Sequence, residues 1–414
     1  MSSSQISLGV SLILALAVLC QVVASRWRLP AIILLLPVGF AAGNLIPALN
    51  PNEIFGGAFP PLVSLGVALI LFEGGLDLDF RRLKGPEHSV VRRLVYFGVP
   101  LTGLGAAGLV WLLFGQTWPF ALMLGAILIV SGPTVVTPIL QAAKPVPRVR
   151  QILTWEGLTV DPLGAVIGTL VFHAIVSGKQ IDATEAIGAF GLSVLVGIAG
   201  AAAGAGILWL LFRWFHITGV LATECILATV ILVAGVCNAV REDTGLVAAI
   251  LMGVAAANLR SVKVPEDRPF LKTMVQLVIG MLFISISATV TPASLGDVVG
   301  PTLALVAGLV LLLRPLVALV ATAFSNLTGR ERAFIGWMDP RGIVAASTAA
   351  VFAGPLASAG VAGAHRLLPA TFLVIVLTVA IYGLTAPHVT RWLGIRSYTR
   401  TSDSSPPAKA SVAP

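Results

Sequence analysis

The sequence predicts an all-α polytopic membrane protein of about thirteen transmembrane helices, and three observations carry that prediction. The chain of 414 residues is 57% hydrophobic and only 11% charged, too little polar surface for a soluble protein of this size to cover its core. Its apolar residues fall in runs close to the ~20 residues that a helix needs to cross a bilayer. Its Lys and Arg residues cluster between alternate runs, which is the mark of membrane topology. The net charge of +8 therefore does not indicate nucleic acid, which would call for one basic stripe or patch. The bilayer is the expected partner, and nucleic acid is not.

On that ruler the helices lie near residues 6–25, 30–47, 58–74, 93–114, 118–140, 150–176, 185–213, 219–239, 245–259, 272–290, 298–325, 331–353 and 369–389. The first run has no positive charge before it and is followed by Arg26 and Arg28 rather than a small-residue cleavage site, so it reads as a retained helix. The segments after the odd-numbered helices hold 21 of the 26 Lys and Arg residues, whereas the N-terminus and the segments after the even ones hold Lys179, Arg241 and Arg366. This asymmetry puts the N-terminus outside and the C-terminus in the cytoplasm. Residues 397–414, rich in Ser, Pro and Ala, are too short to bury a core and are expected to form a disordered cytoplasmic tail.

Two runs are interrupted. Ser131-Gly132-Pro133-Thr134 breaks the fifth, and Met338-Asp339-Pro340-Arg341-Gly342 breaks the twelfth, the two prolines standing 207 residues apart. Leu71-Phe72-Glu73 and Leu282-Phe283-Ile284, in the third and tenth runs, are 211 residues apart. The spacing reads as two six-helix copies joined by the seventh helix. Because seven helices separate corresponding members, the copies are inverted, as in many secondary transporters. Pro133 and Pro340 each remove a backbone donor and disfavour helix at the preceding residue, so each is expected to end one half-helix and begin the next. One such break reads as a kink. Two at matched positions free carbonyls and amides at one depth, which lipid tolerates only where they line a cavity or bind ions.

The charged residues inside apolar runs are the other candidates. Glu156 and Asp161 lie within the sixth run, where a charge costs at least about 2.5 kcal/mol. Five residues apart, they point roughly 140° from one another around a helix, so one is expected to meet substrate and the other an arginine. Glu156 with Arg314 is the preferred pair, a clamp between the sixth and eleventh runs, with a direct role for Glu156 in transport as the alternative. Pro162 frees the carbonyl of Leu158 as a further oxygen. Asp339, just before Pro340, reads either as an N-cap at a positive half-helix end or as a second ion- or proton-binding acid. Arg341 needs a partner of its own. Glu73, near the end of the third run, reads equally as a snorkelling charge or as part of the ion entrance.

Other patterns lead nowhere. Gly103-Leu104-Gly105-Ala106-Ala107-Gly108 matches a dinucleotide fingerprint but lies within an apolar run with no strand before it, and close helix packing explains it better. Cys20, Cys225 and Cys237 lack metal-like spacing. No metalloprotease, nucleophile-elbow or P-loop motif is present, which disfavours an enzyme or an ATP-driven pump.

Together, Phe72-Glu73-Gly74-Gly75-Leu76, Gly132-Pro133-Thr134-Val135-Val136-Thr137-Pro138, Glu156 through Asp161-Pro162, Arg314 and Pro340-Arg341-Gly342-Ile343-Val344-Ala345-Ala346 resemble the monovalent cation:proton antiporter family, specifically its NhaP-like bacterial members, across nearly the whole chain. The resemblance implies the Na+/H+ antiporter fold and a homodimer in the bacterial inner membrane. It divides the chain into interface helices (1–92 and 218–291), core helices (93–180 and 292–396) that move as an elevator, a linker helix (181–217) and the tail. It implies that Asp161 is the shared cation and proton carrier, that Glu156 and Arg314 are a structural pair, and that Ser131 and Glu73 lie near the ion. The chain departs from the family in having Ser131-Gly132 where many members have Thr-Asp, Val160 where Asn is usual and Gly157 where a serine helps ligate the ion. Asp339 stands where a small residue is usual and is a candidate replacement for the missing acid.

The expected function is exchange of Na+ or K+ for H+. Burial disfavours the charged form of a carboxylate, so Asp161 would take either a proton or a cation, with Ser131, Thr134, Thr159 and freed carbonyls supplying the oxygens that hard cations prefer. One carrier carboxylate makes the exchange electroneutral; titration of Asp339 or Glu73 would raise the stoichiometry. No cofactor is expected beyond the transported ions. A sodium-coupled symporter of an organic solute is the alternative, and a cation channel a more distant one.

Overall fold

The computed structural model describes residues 3–27, 29–46, 49–76, 87–176, 183–215, 217, 219–241, 244–259 and 269–397. The expected tail, Ser397 apart, lies outside them. The first elements are α1 (Ser3–Trp27), α2 (Ile32–Leu45), α3 (Pro51–Phe55), α4 (Phe59–Leu76), α5 (Glu87–Arg93), α6 (Val99–Phe114), α7 (Trp118–Ile127), α8 (Pro133–Ala143), α9 (Pro147–Val176) and α10 (Ala183–Trp214). They are followed by α11 (Gly219–Val240), α12 (Thr244–Asn258), α13 (Pro269–Ala288), α14 (Pro292–Gly296), α15 (Val299–Gly308), α16 (Arg314–Thr322), α17 (Gly329–Trp337), α18 (Ile343–Ser358) and α19 (Leu367–Trp392). Among the described residues, nine helical spans are long and apolar enough to cross a bilayer, and five shorter apolar helices accompany them. The chain is an all-α polytopic membrane protein.

The helices sort by their neighbours into two groups. In one, α4 and α10 pack on α12, and α13 lies against α1 and α2; in the other, α6 packs on α7, α8 and α18 on α9, α16 on α17, and α15 on α19. The fourth helical segment starts at Glu87, six residues before its expected start at 93, and α5 packs on α9. Pro100 and Pro315 explain a further local feature. Each lacks an N–H and crowds the carbonyl four residues earlier, and each follows a widened π turn, Leu94–Gly98 and Leu309–Leu313.

Glycines allow the closest helix crossings. Gly75 of α4 and Gly253 of α12 meet face to face: a Cβ on Gly75 would lie 2.5 Å from the Ile250 carbonyl oxygen, and one on Gly253 would strike that of Phe72. The glycine-rich stretch of α6 is also packing, since a Cβ on Gly125 of α7 would lie 2.7 Å from both Gly103 O and Ala107 N. Without a hydrophobic drive between helices in lipid, such close backbone approach is a main source of association. Gly253→Ala is therefore expected to lower the thermal unfolding midpoint in detergent. Gly108→Ala, where nothing lies within 4 Å of the added carbon, is expected to leave it unchanged or raise it.

Candidate functional site

Two interrupted helices meet at the centre of the second group. The first interruption separates α7 from α8, leaving residues 128–132 outside helix; the second leaves residues 338–342 outside helix between α17 and α18. Gly132 and Gly342 are the N-caps of α8 and α18, both with extended backbone. A Cβ on Gly342 would lie 3.0 and 3.1 Å from N and Cα of Gly132, so the chain crosses itself here with no room for a side chain. Two half-helix N-termini, each carrying partial positive charge, thus come together.

The breaks are not alike. Pro133 begins α8 as expected from its fixed φ and missing N–H, but Pro340 does not begin α18, which starts at Ile343. The capping reading of Asp339 fails with it, because Gly342 occupies the N-cap and makes no side-chain bond. Asp339 is instead engaged by Arg341, whose Nη2 lies 2.7 Å from its Oδ2. The physical reason is the guanidinium, 2% exposed and in need of a counter-charge that only a nearby carboxylate supplies. Arg341 Nη1 also donates to the carbonyl of Ile129, at 3.2 Å, across the junction at the end of α7.

Arg314 serves the other break in the same way. Its Nη1 and Nη2 donate to Glu156 Oε1 and Oε2 at 2.6 and 2.8 Å, and its Nε donates to the carbonyl of Ile335 at 2.9 Å. That carbonyl lies in the last turn of α17, where no following helical N–H reaches it. Both partners are buried, and the paired, fork-shaped geometry is the strongest that such groups form.

Asp161 sits in the unbroken α9 and is 3% exposed. One turn on, Gly164 lets α9 press against the end of the first half-helix, since a Cβ there would strike the Val130 side chain and lie 3.3 Å from its backbone nitrogen. This approach brings the Asp161 carboxylate to the first break. The atoms nearest the missing side chain of Gly132 are Asp161 Oδ2 and Oδ1 and Thr134 Oγ1, at 3.3, 3.4 and 3.4 Å from where a Cβ would stand. Asp161 Oδ1 and Thr134 Oγ1 are buried without a hydrogen-bond partner among the described residues. Ser131 is buried beside them in sequence. Thr159 turns its hydroxyl to the carbonyl of Trp155, at 2.8 Å, and Glu73 is half-buried in the last turn of α4.

Space around this centre is uneven. A cavity of about 540 Å³ follows α8 from Lys144 up to Thr137, one turn from Thr134, and also touches Gln151 and Trp155 of α9. At the other end of α9, Phe172 stacks on Phe352 of α18 with ring centres 4.4 Å apart. Only a small cavity of about 20 Å³ separates Thr169 from Ser347 and Thr348 there, room for about one water molecule.

A family model for the sodium/hydrogen exchanger, transmembrane, matches residues 12–392. The chain belongs to the sodium/hydrogen exchanger family. Among its relatives is the K(+)/H(+) antiporter NhaP2 of Shewanella sp. (strain ANA-3), 28% identical over an alignment of 391 positions that covers 90% of this chain and 64% of the relative. The K(+)/H(+) antiporter NhaP of Alkalimonas amylolytica is 24% identical over 93% of the chain and 66% of its own length. A probable Na(+)/H(+) antiporter 2 of Methanocaldococcus jannaschii is 23% identical over 80% of each. The chain thus spans 64% and 66% of the length of the Shewanella and Alkalimonas relatives. The sodium proton antiporter MjNhaP1 from Methanocaldococcus jannaschii, solved at pH 8, has the same fold, with a TM-score of 0.78, 20% identity, and coverage of 94% of this chain and 99% of that one.

The carbonyl caps supplied by Arg314 and Arg341 were absent from the sequence reading, although counting the acceptors that each break frees would have pointed to them. Removing one partner of a buried pair strands the other charge, at a cost of about 3–5 kcal/mol. Glu156→Gln is accordingly expected to lower the unfolding midpoint sharply, and the double change Glu156→Gln with Arg314→Met to recover part of the loss.

Proposed function

We propose that this chain exchanges K+ or Na+ for H+ across the bacterial inner membrane, with Asp161 as the group that carries either the cation or the proton. The observation that carries the reading is the pair of unpartnered buried oxygens, Asp161 Oδ1 and Thr134 Oγ1, beside the junction of two half-helix N-termini. A buried carboxylate oxygen left without a donor is costly, and a proton or a cation relieves the cost by turns. Ser131 and carbonyls freed by the breaks complete the oxygen set; Glu73 lines the approach. The names of the relatives, antiporters of K+ or Na+ for H+, support the same exchange.

Electroneutral, one-for-one exchange follows from how the neighbouring acids are engaged. Glu156 is matched by Arg314 and Asp339 by Arg341, leaving Asp161 as the carrier among these three. In this reading Asp339 serves the fold. The matched π turns before Pro100 and Pro315, with the facing N-caps Gly132 and Gly342, support two inverted six-helix copies. The wide cavity beside α8 and the closed Phe172–Phe352 end support alternating access, in which the core helices move as an elevator against the interface helices of a homodimer. The N-terminus lies outside and the C-terminus in the cytoplasm.

In acid-loaded proteoliposomes, external K+ or Na+ is expected to drive proton efflux in the wild type, and Asp161→Asn to abolish it. No cation-dependent efflux from wild-type protein would overturn the reading. Efflux is also expected to ignore an imposed membrane potential. Asp339→Asn should keep that insensitivity while losing thermal stability; a steep voltage dependence in the wild type would count against a single carrier.

A further inference from the structure

We propose that the wide cavity between α8 and α9 is a binding site for a phosphate group, carried either by a free anion or by a lipid headgroup. The polar side chains that line it can all donate hydrogen bonds: Lys144 and Arg150 bring positive charge, Gln141 and Gln151 amides, and Thr137 and Thr154 hydroxyls. Among the described residues no carboxylate lines it. Its volume of about 540 Å³ falls within the roughly 300–1,000 Å³ of ligand pockets and far exceeds what a bare cation fills.

The two cations are available for such a ligand. Arg148, between them in sequence, is turned to Glu87 at 3.5 Å and to the carbonyl of Asn326 at 3.4 Å. Lys144 and Arg150 are exposed and make no ion pair among the described residues. Membrane topology asks only that basic residues lie on one side of the bilayer, not that two of them line one cavity. Nor is the Lys144 ammonium needed to finish α8, because the carbonyls of Leu140 and Ala143 already accept from the Lys144 N–H at 2.9 Å and the Thr390 hydroxyl at 3.0 Å. Lys144 holds a left-handed backbone, φ 50° and ψ 53°, where glycine is the usual residue after a helix. Strain of that kind gathers at ligand sites, and here it sets a lysine in the cavity wall.

A phosphate group suits this lining. Its oxygens accept from several donors at once, the planar fork of an arginine takes two of them, and a lysine adds a point charge. Pro147, the first residue of α9, is also in the wall, and a helix N-terminus contributes partial positive charge of the sign an anion needs. The mouth is held in place by backbone bonds to the residues after α19: the Val146 N–H donates to the carbonyl of Ile395 and the Ser397 N–H to that of Lys144, both at 2.8 Å. A wall fixed before the ligand arrives costs less to order on binding.

The test is the thermal unfolding midpoint of the full chain in an uncharged detergent. It is titrated with inorganic phosphate and, separately, with micelles doped with a short-chain phosphatidic acid, against chloride and acetate, all as sodium salts at matched ionic strength. A saturable rise is expected with a phosphate probe and not with the control anions, because a ligand of the folded state raises its stability by mass action. Lys144→Gln with Arg150→Gln is expected to keep the ligand-free midpoint and to raise the half-saturating concentration at least about tenfold, since each change removes a charge-assisted bond. Lys144→Arg, which keeps the charge, is expected to stay within about threefold of wild type. A response to inorganic phosphate identifies a free anion and a response to phosphatidic acid alone a headgroup; either supports the site. An equal rise with chloride or acetate, no rise with either probe, or a rise that survives the double glutamine change overturns the inference and leaves the antiport reading standing.

Discussion

Breaking a helix in an apolar interior frees carbonyls that neither water nor lipid can satisfy, and this molecule breaks two in the same place. Two buried arginines answer the problem. Arg314 reaches from α16 to the carbonyl of Ile335 on α17, and Arg341 reaches from the second break to the carbonyl of Ile129 at the first. Each brings a charge that itself has to be matched, and each finds one carboxylate, Glu156 and Asp339. The rest of the site depends on these two cation-and-acid units, because without them the non-helical segments beside Asp161 would have no stable course.

The arrangement also accounts for which acid is left without a counter-charge. Glu156 and Asp339 are held by guanidinium groups, and Asp161 lies beside Gly132 and the hydroxyl of Thr134. The close approach of Gly164 to Val130 is what delivers that third acid. A matched frame and one carboxylate without a counter-charge are thus two aspects of one packing solution.

Membrane character, the paired breaks and the carboxylates at 156 and 161 were legible in the sequence because each violates a strong rule: long apolar runs, prolines inside them, charges at depth. Glu156 and Arg314 were likewise readable as a pair, since each lacked a partner in its own run. Other features depended on geometry that local residue preferences do not encode. An Asp before a Pro fits a helix start, yet Asp339 pairs with Arg341, two residues on, and α18 starts at Ile343. The π turns before Pro100 and Pro315 follow from a clash that periodicity does not register. Gly132 reads in the sequence as a lost acid; that its bare side meets the oxygens of Asp161 and Thr134 depends on the fold.

The bond from Arg341 to the Ile129 carbonyl joins residues 212 positions apart, with consequences for how the protein is made. When α7 and α8 enter the membrane, the groups freed between them have no permanent partners, because the segment that supplies Arg341 and the facing Gly342 has yet to be synthesised. The first break must therefore wait, hydrated or paired provisionally, while the intervening helices are inserted. Closure of the junction therefore comes late in biogenesis, and until it occurs the carbonyl of Ile129 lacks the donor that holds it in the finished fold.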